Sequence, residues 1–283
     1  MLRKLAVLGA GTMGHGIAQT AAVAGCDVVL RDIDDAALAR GVAGVRRGLD
    51  KAVEKQKATR EAADAALARV RTTTDLAGAV RDADLVVEAV PERLDLKRAV
   101  AAEVSRHAPP RAILATNTSS LPIAAIAEAL APEDRGRFVG MHFFNPVPVM
   151  KLVEVVRGPE TSDATIAAVT ELAREMGKET IEVRDSPGFA TSRLGVAIGL
   201  EAIRMLEEGV ASAEDIDKAM TLGYNHPMGP LRLTDLVGVD VRLHIAEGLA
   251  KALGPRFEPP ALLRRMVAEE KLGQKSGAGF YRW

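Results

Sequence analysis

Two residues that could form an acid–base pair stand twelve positions apart in HFFNPVPVMKLVE, which runs from His142 to Glu154. Histidine changes charge near neutral pH, so it is a common proton donor or acceptor in catalysis. A carboxylate on one ring nitrogen would fix the tautomer and favour the imidazolium form, leaving the other nitrogen for a substrate. A satisfied core histidine is the alternative, and the residues alone leave both interpretations open.

The place of His142 in the sequence favours chemistry. It stands at the end of RFVGMHFF, a predicted strand, and ligands bind at the carboxyl edge of open α/β sheets. The next residues, Asn-Pro-Val-Pro, cannot continue a central strand because proline lacks an N–H. If the chain reverses about Pro148, KLVEVV becomes an antiparallel neighbour and Glu154 lies opposite His142. Surface or helix-end roles explain the other histidines better: His15, His107, His226 and His244.

A glycine pattern near the N-terminus predicts a dinucleotide site. KLAVLGAGTMGHGIAQ places Gly9, Gly11 and Gly14 in G-x-G-x-x-G spacing, directly after a predicted strand and at the start of a helix. The next strand ends in Asp32, at the distance expected for the acid that binds the ribose 2′-hydroxyl. A carboxylate there repels a 2′-phosphate, so NAD is favoured over NADP. Arg31 should point to the opposite face of the strand and stay outside this site.

Short apolar runs that alternate with helical patterns must position these residues. Helices are predicted over 16–25 and 94–108, and a longer helical stretch from about 34 to 70 should contain two helices that meet near 57–59. The predicted strands are KLAVL (4–8), CDVVLRD (26–32), DLVVEAV (84–90), AILATNT (112–118), RFVGMHFF, KLVEVV and TIEVRD. This β-α-β alternation predicts an α/β fold, a mostly parallel sheet with helices on both faces.

The alternation stops at RDSPGF (184–189), and only helices are predicted beyond it. We therefore expect two domains, 1–185 and an all-helical domain over 186–283. The predicted helix over 191–209 has apolar residues on nearly all sides, which is typical of a buried helix. A small helical domain has limited capacity to bury it, so we predict a homodimer built around this helix. Burial wholly inside its own domain is the alternative.

Bulk composition excludes several classes of protein. The length of 283 residues suits two domains, and 37 basic against 38 acidic residues give a net charge of −1. That balance argues against nucleic acid or a membrane surface as partner, and no metal site is predicted. The single cysteine cannot form an internal disulfide, which suggests a reducing, cytoplasmic setting. The N-terminal apolar run is too short for a secretory signal, and no stretch approaches the ~20 apolar residues of a membrane span.

Five longer blocks are NTSSLP, GMHFFNPVPVMKLVEVV, DSPGF, NHPMGPLRLTDLVG and KLGQKSGAGFY. They resemble the L-3-hydroxyacyl-CoA dehydrogenase family, specifically its short bacterial 3-hydroxybutyryl-CoA dehydrogenases, and the likeness runs from Lys4 to Tyr281. The resemblance implies a Rossmann-like domain, a helical substrate and dimerisation domain, and NAD-linked interconversion of 3-hydroxyacyl-CoA with 3-oxoacyl-CoA. Two rivals remain: a different 3-hydroxy acid or acyl-CoA, such as 3-hydroxyadipyl-CoA, and an NADH-binding protein without turnover.

The resemblance also assigns roles by position. His142 matches the catalytic base, Glu154 its partner, and Ser119 the residue that touches both substrate and nicotinamide. Lys51 and Lys55 match lysines that meet the coenzyme A phosphates, although by themselves they read as a solvated basic helix face. The expected cofactor contacts are Gly9, Ala10, Gly11, Thr12, Met13, Gly14, Asp32, Glu92, Lys97, Ser119, Asn145 and Lys275.

One position departs from the family pattern. After D-x-P-G-F the family has two apolar residues and then Asn-Arg, and the asparagine contacts the substrate oxygen. Here the stretch is ATSR, so Ser192 stands at the asparagine position. The shorter hydroxyl could hold a water, or the contact is lost, at a cost of ~1–3 kcal/mol. The departure bears on turnover and acyl preference rather than on the cofactor.

Overall fold

The chain folds into two compact units. The structure is a computed structural model that describes residues 2–283. The first unit ends at Ser186 and the second spans Pro187–Trp283. Among the described residues, no helix has the length and apolar character needed to cross a membrane.

The first unit contains eight strands and seven α-helices within the described residues. The strands are β1 (Lys4–Leu8), β2 (Asp27–Arg31), β3 (Val70–Thr73), β4 (Leu85–Glu88), β5 (Ile113–Thr116), β6 (Phe138–Phe143), β7 (Leu152–Arg157) and β8 (Glu179–Arg184). The helices are α1 (Thr12–Val23), α2 (Asp35–Glu54), α3 (Arg60–Ala68), α4 (Leu76–Val80), α5 (Leu94–His107), α6 (Ile123–Ala127) and α7 (Asp163–Glu175), and a 3₁₀ helix covers Pro132–Arg137.

All eight strands belong to one sheet in the order β3-β2-β1-β4-β5-β6-β7-β8. Neighbouring strands are parallel except for β6 and β7. Strands β4, β5 and β6 are buried along their whole length, as expected for strands covered on both faces. The predicted mostly parallel sheet with helices is confirmed.

The register of β6 and β7 matters most for the chemistry. The two strands pair antiparallel, and His142 lies directly opposite Glu154. The predicted reversal of the chain between them is confirmed. Because cross-strand partners have adjacent side chains, the fold itself brings the histidine and the carboxylate together.

The helical stretch after β2 divides near the expected place. Asp34 caps α2 by accepting a hydrogen bond from Ala37 N at 2.7 Å, and Thr59 caps α3 in the same way through Ala62 N. The helix does not continue to Val70, as the pattern suggested. Val70 instead begins β3, which the sequence did not indicate because this edge strand has four residues and no buried side chain.

Helix α1 also begins earlier than the pattern indicated, at Thr12 rather than residue 16. Its early glycines, Gly14 and Gly16, hide the helical pattern because glycine is a poor helix former. The end is closer to expectation, since α1 stops at Val23 and Gly25 takes a φ of +90°. The glycine motif thus lies partly inside the helix.

The second unit is helical, as predicted. Its helices are α8 (Thr191–Glu207), α9 (Ala213–Gly223), α10 (Pro230–Val237), α11 (Val239–Leu253) and α12 (Ala261–Ala268), with 3₁₀ turns at Pro255–Phe257 and Gln274–Ser276. Helix α8 buries Val196, Leu200 and Ile203, but Leu194 is 63% exposed and Ile198 37% exposed. Burial of this helix wholly inside its own unit is therefore excluded.

Candidate active site

The turn between β1 and α1 permits close approach of a ligand. Gly9 has a φ of +103°, and a Cβ there would lie 2.6 Å from the carbonyl oxygen of Ala89. A Cβ at Gly14 would overlap the carbonyl of Gly9, whereas no atom lies within 4 Å of one at Gly11. Gly11 is also the N-cap of α1 and supplies no side-chain cap. Open space at an uncapped helix N-terminus fits a diphosphate.

Asp32 fixes this turn at the end of β2. Its Oδ2 accepts a hydrogen bond from Ala10 N at 2.6 Å, and its Oδ1 accepts one from Ile33 N at 2.7 Å. A carboxylate has about four acceptor sites, so capacity remains for ribose hydroxyls. Asp32 and the glycine turn line a cleft of about 800 Å³.

The expectation for Arg31 was wrong, because Arg31 lines the same cleft as Asp32. The alternation of side chains holds within a strand, but β2 ends at Arg31 and Asp32 lies beyond that end. The Nε of Arg31 donates to the carbonyl of Thr74 at 3.2 Å. Arg40 and Arg47 line the cleft as well. The charge of Asp32 is therefore what distinguishes this cleft from a site for a 2′-phosphate.

Asp32→Asn is expected to lower kcat/KM for NADH by about 10–100-fold, because hydrogen bonds to the ribose lose a charged acceptor. It should raise kcat/KM for NADPH, since the repulsion of a 2′-phosphate disappears and arginines remain in the cleft. Steady-state kinetics with both cofactors measure this. The control is Asp27→Asn at the opposite end of β2. If the ratio of kcat/KM for NADH to kcat/KM for NADPH is unchanged in Asp32→Asn, the assignment of Asp32 to the ribose is refuted.

The His142–Glu154 pair is buried and in direct contact. Nδ1 of His142 lies 2.7 Å from Oε2 of Glu154, and the two side chains are 7% and 0% exposed. The ring of Phe144 packs against the imidazole with centroids 4.5 Å apart. With Nδ1 engaged by the carboxylate, any exchange of a proton with a substrate falls to Nε2. A histidine that a carboxylate holds in this way can act as a general base.

The loop after β5, which carries Ser119, is tied to its surroundings by Glu92. Oε1 of Glu92 accepts hydrogen bonds from Thr118 Oγ1 at 2.6 Å, Ser119 N at 2.9 Å and Ser120 N at 3.0 Å. Burial opposes ionisation of Glu92, but the Thr118 hydrogen bond and the nearby Lys97 outweigh it and lower its pKa. Glu92 thus stays ionised at neutral pH and holds exposed Ser119 in place.

Lys97 lies behind this loop and is 0% exposed. Its Nζ contacts Glu88 Oε1 at 2.8 Å, Glu92 Oε2 at 3.4 Å and the carbonyl of Val90 at 3.3 Å. Glu88 also accepts a hydrogen bond from Thr116 Oγ1 at 2.7 Å. Lys97 therefore contacts Val90, which lines the cleft, and Glu92. Its ammonium group is not exposed at the surface.

Asn117 joins the serine loop to the histidine strand. Its Oδ1 accepts a hydrogen bond from Phe143 N at 2.9 Å, and both residues are buried. Asn117 follows β5 and Phe143 ends β6, two parallel neighbours. Ser119 and His142 are thereby held at the same edge of the sheet.

The turn between β6 and β7 is fastened from two sides. It contains Asn145, whose peptide bond to Pro146 is cis. Buried Lys178 donates from Nζ to the carbonyls of Val147 and Met150, the second at 2.8 Å. Burial lowers the pKa of Lys178. On the other side, a Cβ at Gly16 of α1 would lie 2.9 Å from Cβ of Val147, so the turn packs closely on the helix that follows the glycine turn.

Lys178→Met is expected to lower kcat by about tenfold while changing KM for NADH little, because two carbonyls of the turn lose their donor. Lys178→Arg should restore part of the loss by supplying donors to the same carbonyls. Steady-state kinetics and thermal unfolding measure both effects. Equal losses of stability and activity in Met and Arg variants would show a purely structural role.

The remaining predicted residues fall in three places. Lys51 in α2 and Lys55 at its C-cap are exposed and four positions apart, on one helix face. Ser192 lies half-buried in the first turn of α8. Lys275, in the second unit, pairs with Asp240 at 2.6 Å. Among residues 2–283 no cluster could hold a metal ion.

Comparison with known proteins gives a consistent result. A family model for the 3-hydroxyacyl-CoA dehydrogenase NAD binding domain matches residues 4–186, and one for the C-terminal domain matches 188–283. A probable 3-hydroxybutyryl-CoA dehydrogenase from Deinococcus radiodurans is 47% identical over 99% of this chain and 100% of its own length. The human mitochondrial hydroxyacyl-coenzyme A dehydrogenase is 43% identical over 100% of this chain and 92% of its own.

Solved structures agree with these matches. The crystal structure of (S)-3-hydroxybutyryl-CoA dehydrogenase PaaH1 from Ralstonia eutropha superimposes with a TM-score of 0.95 at 44% identity. The match covers 100% of this chain and 99% of that one. Both units described above therefore have counterparts in a single known protein.

Proposed function

We propose that this chain, which belongs to the 3-hydroxyacyl-CoA dehydrogenase family and whose first unit is the family's NAD-binding domain, interconverts (S)-3-hydroxyacyl-CoA and 3-oxoacyl-CoA. The first candidate substrate is 3-hydroxybutyryl-CoA, which the names of several relatives carry. The observation that carries the proposal is the His142–Glu154 pair, buried and 2.7 Å apart at the ligand-binding edge of a dinucleotide-binding sheet.

Oxidation needs a proton acceptor and a hydride acceptor at the same carbon–oxygen bond. When bound, NAD supplies the hydride acceptor at C4 of its nicotinamide. Nε2 of His142 takes the 3-hydroxyl proton as the C3 hydrogen leaves with both electrons of its bond, as hydride, so the alcohol becomes a ketone. Glu154 stabilises the imidazolium through Nδ1. In reduction the imidazolium returns the proton to the oxygen and Glu154 holds the neutral ring in the same orientation.

The serine at position 119 is proposed to hold the reacting oxygen. Its exposed hydroxyl stands on a loop that Glu92 and Asn117 fix at the sheet edge. Ser192 is proposed as a second contact of that oxygen because it stands where the family has asparagine. Asn145, Lys275 and the Glu92–Lys97 pair are proposed to support the cofactor.

The test is NADH oxidation with acetoacetyl-CoA, followed by a series of longer 3-oxoacyl-CoA esters and by NADPH in place of NADH. We expect turnover with acetoacetyl-CoA and NADH and slower turnover with NADPH. The rival, an NADH-binding protein without turnover, predicts cofactor binding and no oxidation with any thioester. If the substrate is a different, free 3-hydroxy acid, that acid should be turned over in place of the thioester.

Lys51 and Lys55 are proposed to contact the phosphates of coenzyme A. Each alanine variant should raise KM for acetoacetyl-CoA a few-fold and the double variant about tenfold, because each removes a cation from a charge-assisted contact. The loss should shrink with a dephospho-CoA thioester that lacks the 3′-phosphate. Lys4→Ala, at the amino end of β1, is the control. An equal loss with both thioesters would contradict a contact with the 3′-phosphate and assign the lysines to the diphosphate, and no loss with either thioester would contradict any phosphate contact.

A homodimer is proposed through the second unit. The supporting observation is the apolar exposure on α8 at Leu194 and Ile198, together with exposed Val241 on α11. Scattered exposed apolar residues are ordinary, but several on one small helical unit favour association.

A further inference from the structure

The cleft that contains the glycine turn and Asp32 is also lined by cationic side chains that have no role so far. Its lining includes His15 of α1 and two arginines of α2, Arg40 and Arg47. Both arginines are exposed, and among residues 2–283 neither takes part in an ion pair. Because the N-terminus of α1 already suits the diphosphate of the dinucleotide, these cations are available to a second anion.

The imidazole of His15 is held in one orientation. Its Nδ1 lies 2.8 Å from the carbonyl oxygen of Gly11, and because a carbonyl only accepts, Nδ1 carries the hydrogen. The ring lies against Gly44 of α2, where a Cβ would come within 2.8 Å of Cδ2 and 2.9 Å of Nε2. Glycine at that position leaves room for the ring. Nε2 therefore lies beside α2, and no hydrogen bond within the described part of the chain engages it.

Four cations of α2 share the helix face on which this ring lies. Spacings of four, three, four and four residues align on one face of a helix, and they separate Arg40, Gly44, Arg47, Lys51 and Lys55. The step from Gly44 to Arg47 is about 4–5 Å along the axis, and the step from Arg47 to Lys51 is about 6 Å. The row of cations thus begins in the cleft at Arg40 and continues along α2 to the two lysines.

We infer that Nε2 of His15 and the guanidinium of Arg47 bind the diphosphate of coenzyme A, one helical turn before Lys51. This inference rests on the proposed function and assigns the 3′-phosphate to Lys51 and Lys55. An imidazolium and a guanidinium both form charge-assisted hydrogen bonds with phosphate oxygens. Because Nδ1 already carries a hydrogen, Nε2 donates only from the imidazolium, so a neutral ring takes up a proton when the diphosphate binds.

The charged groups around the ring leave it available to a ligand. Helix α1 carries no charged side chain besides His15. The cleft is lined on the side of α2 by Arg40 and Arg47, and on the side of the segment after β2 by Arg31, Asp32 and Asp34. The two carboxylates accept hydrogen bonds from the backbone N–H groups of Ala10, Ile33 and Ala37. Neither of them pairs with His15 or Arg47, so the anion for these cations comes from outside the chain.

The probe for the test is 3′-dephospho-CoA, which keeps the diphosphate and lacks the 3′-phosphate, a group that itself titrates near neutral pH. Its binding to the NADH-loaded protein is measured by calorimetry in two buffers of different ionisation enthalpy, which gives the affinity and the number of protons taken up. His15→Asn keeps a donor for the Gly11 carbonyl and removes Nε2, so we expect about tenfold weaker binding and no proton uptake. His15→Gln places an amide N–H near the position of Nε2 and should recover part of the affinity without proton uptake.

Arg47→Gln should also weaken binding of the probe by about tenfold. The matched control is Arg46→Gln, because Arg46 is exposed and adjacent in the sequence but does not line the cleft. The dissociation constant of NADH, measured by fluorescence titration, should change little in the His15 and Arg47 variants.

Normal affinity and proton uptake in His15→Asn would overturn the inference, and so would failure of the unmodified protein to bind the probe. A loss of NADH affinity in the same variant would place the ring at the diphosphate of the cofactor and would overturn it as well. Turnover of acetoacetyl-CoA, measured in parallel, decides the proposed function separately. A protein that binds the probe through His15 and oxidises no NADH would keep the nucleotide site and lose the proposed reaction.

Discussion

Replacing His142 with alanine should lower kcat for acetoacetyl-CoA reduction by about 10²–10⁴-fold, the usual contribution of a positioned acid or base. The dissociation constant of NADH should change little, because the glycine turn and Asp32, which line the proposed cofactor cleft, follow β1 and β2 rather than β6. A loss in kcat with intact cofactor binding separates a chemical role from a folding defect. Stopped-flow and fluorescence titration measure the two quantities.

The matched control for this variant is His107→Ala. His107 stands exposed in the last turn of α5 and takes no part in the proposed site. It should keep near-normal kcat. An active His142→Ala would show that another group moves the proton, and the satisfied core histidine would become the correct interpretation.

Glu154→Gln should be nearly as damaging, with kcat lower by on the order of 10²–10⁴-fold. Glutamine has the size of glutamate, so the fully buried site keeps its packing. Its amide cannot stabilise an imidazolium, and it can hold the ring in the wrong tautomer by donating to Nδ1. KM for acetoacetyl-CoA should change less than kcat does, because Glu154 acts through His142.

Glu179→Gln is the control for this variant, since Glu179 is exposed on the neighbouring strand β8. Thermal unfolding of both variants shows whether the change acts on stability. A Glu154→Gln variant with normal kcat would mean that the carboxylate serves the fold alone. A loss of kcat that is matched by an equal loss of folded protein would mean the same.

The pairing of His142 with Glu154 could be predicted because it depends on local rules. Two prolines end a strand, and a reversal centred on Pro148 places residues at equal distances from it opposite each other. The observed register of His142 with Glu154 follows that count. The glycine motif is equally local, because Gly9, Gly11 and Gly14 are all required by one turn and the helix that follows it.

The residues that hold these groups in place could not be predicted, because their partners are distant in sequence. Lys178 reaches Val147 across 31 positions, and Asn117 reaches Phe143 across 26. A buried lysine beneath a turn has no pattern in the sequence. Asn117 did carry a weak signal, since NTSS directly follows a predicted strand at the ligand-binding edge.

Arg31 and Arg242 illustrate a second limit. Strand alternation predicts that the Arg31 side chain points away from the cofactor site. The alternation does not extend to Asp32, because the strand ends at Arg31. Arg242 looks like a surface arginine on an amphipathic helix, and only the packing of α11 against Gly195 and Gly199 makes it buried. Both depend on where an element ends or packs, which one sequence specifies weakly.

The central claim, that this chain transfers hydride between NADH and a 3-oxoacyl-CoA while His142 supplies the proton, is tested most directly by a single turnover. The protein is loaded with one equivalent of NADH, mixed with excess acetoacetyl-CoA, and followed by the loss of NADH absorbance and by product analysis. We predict rapid loss of the bound NADH with equimolar 3-hydroxybutyryl-CoA, and a slow reaction in His142→Ala. Bound NADH that stays reduced in the unmodified protein would contradict the account.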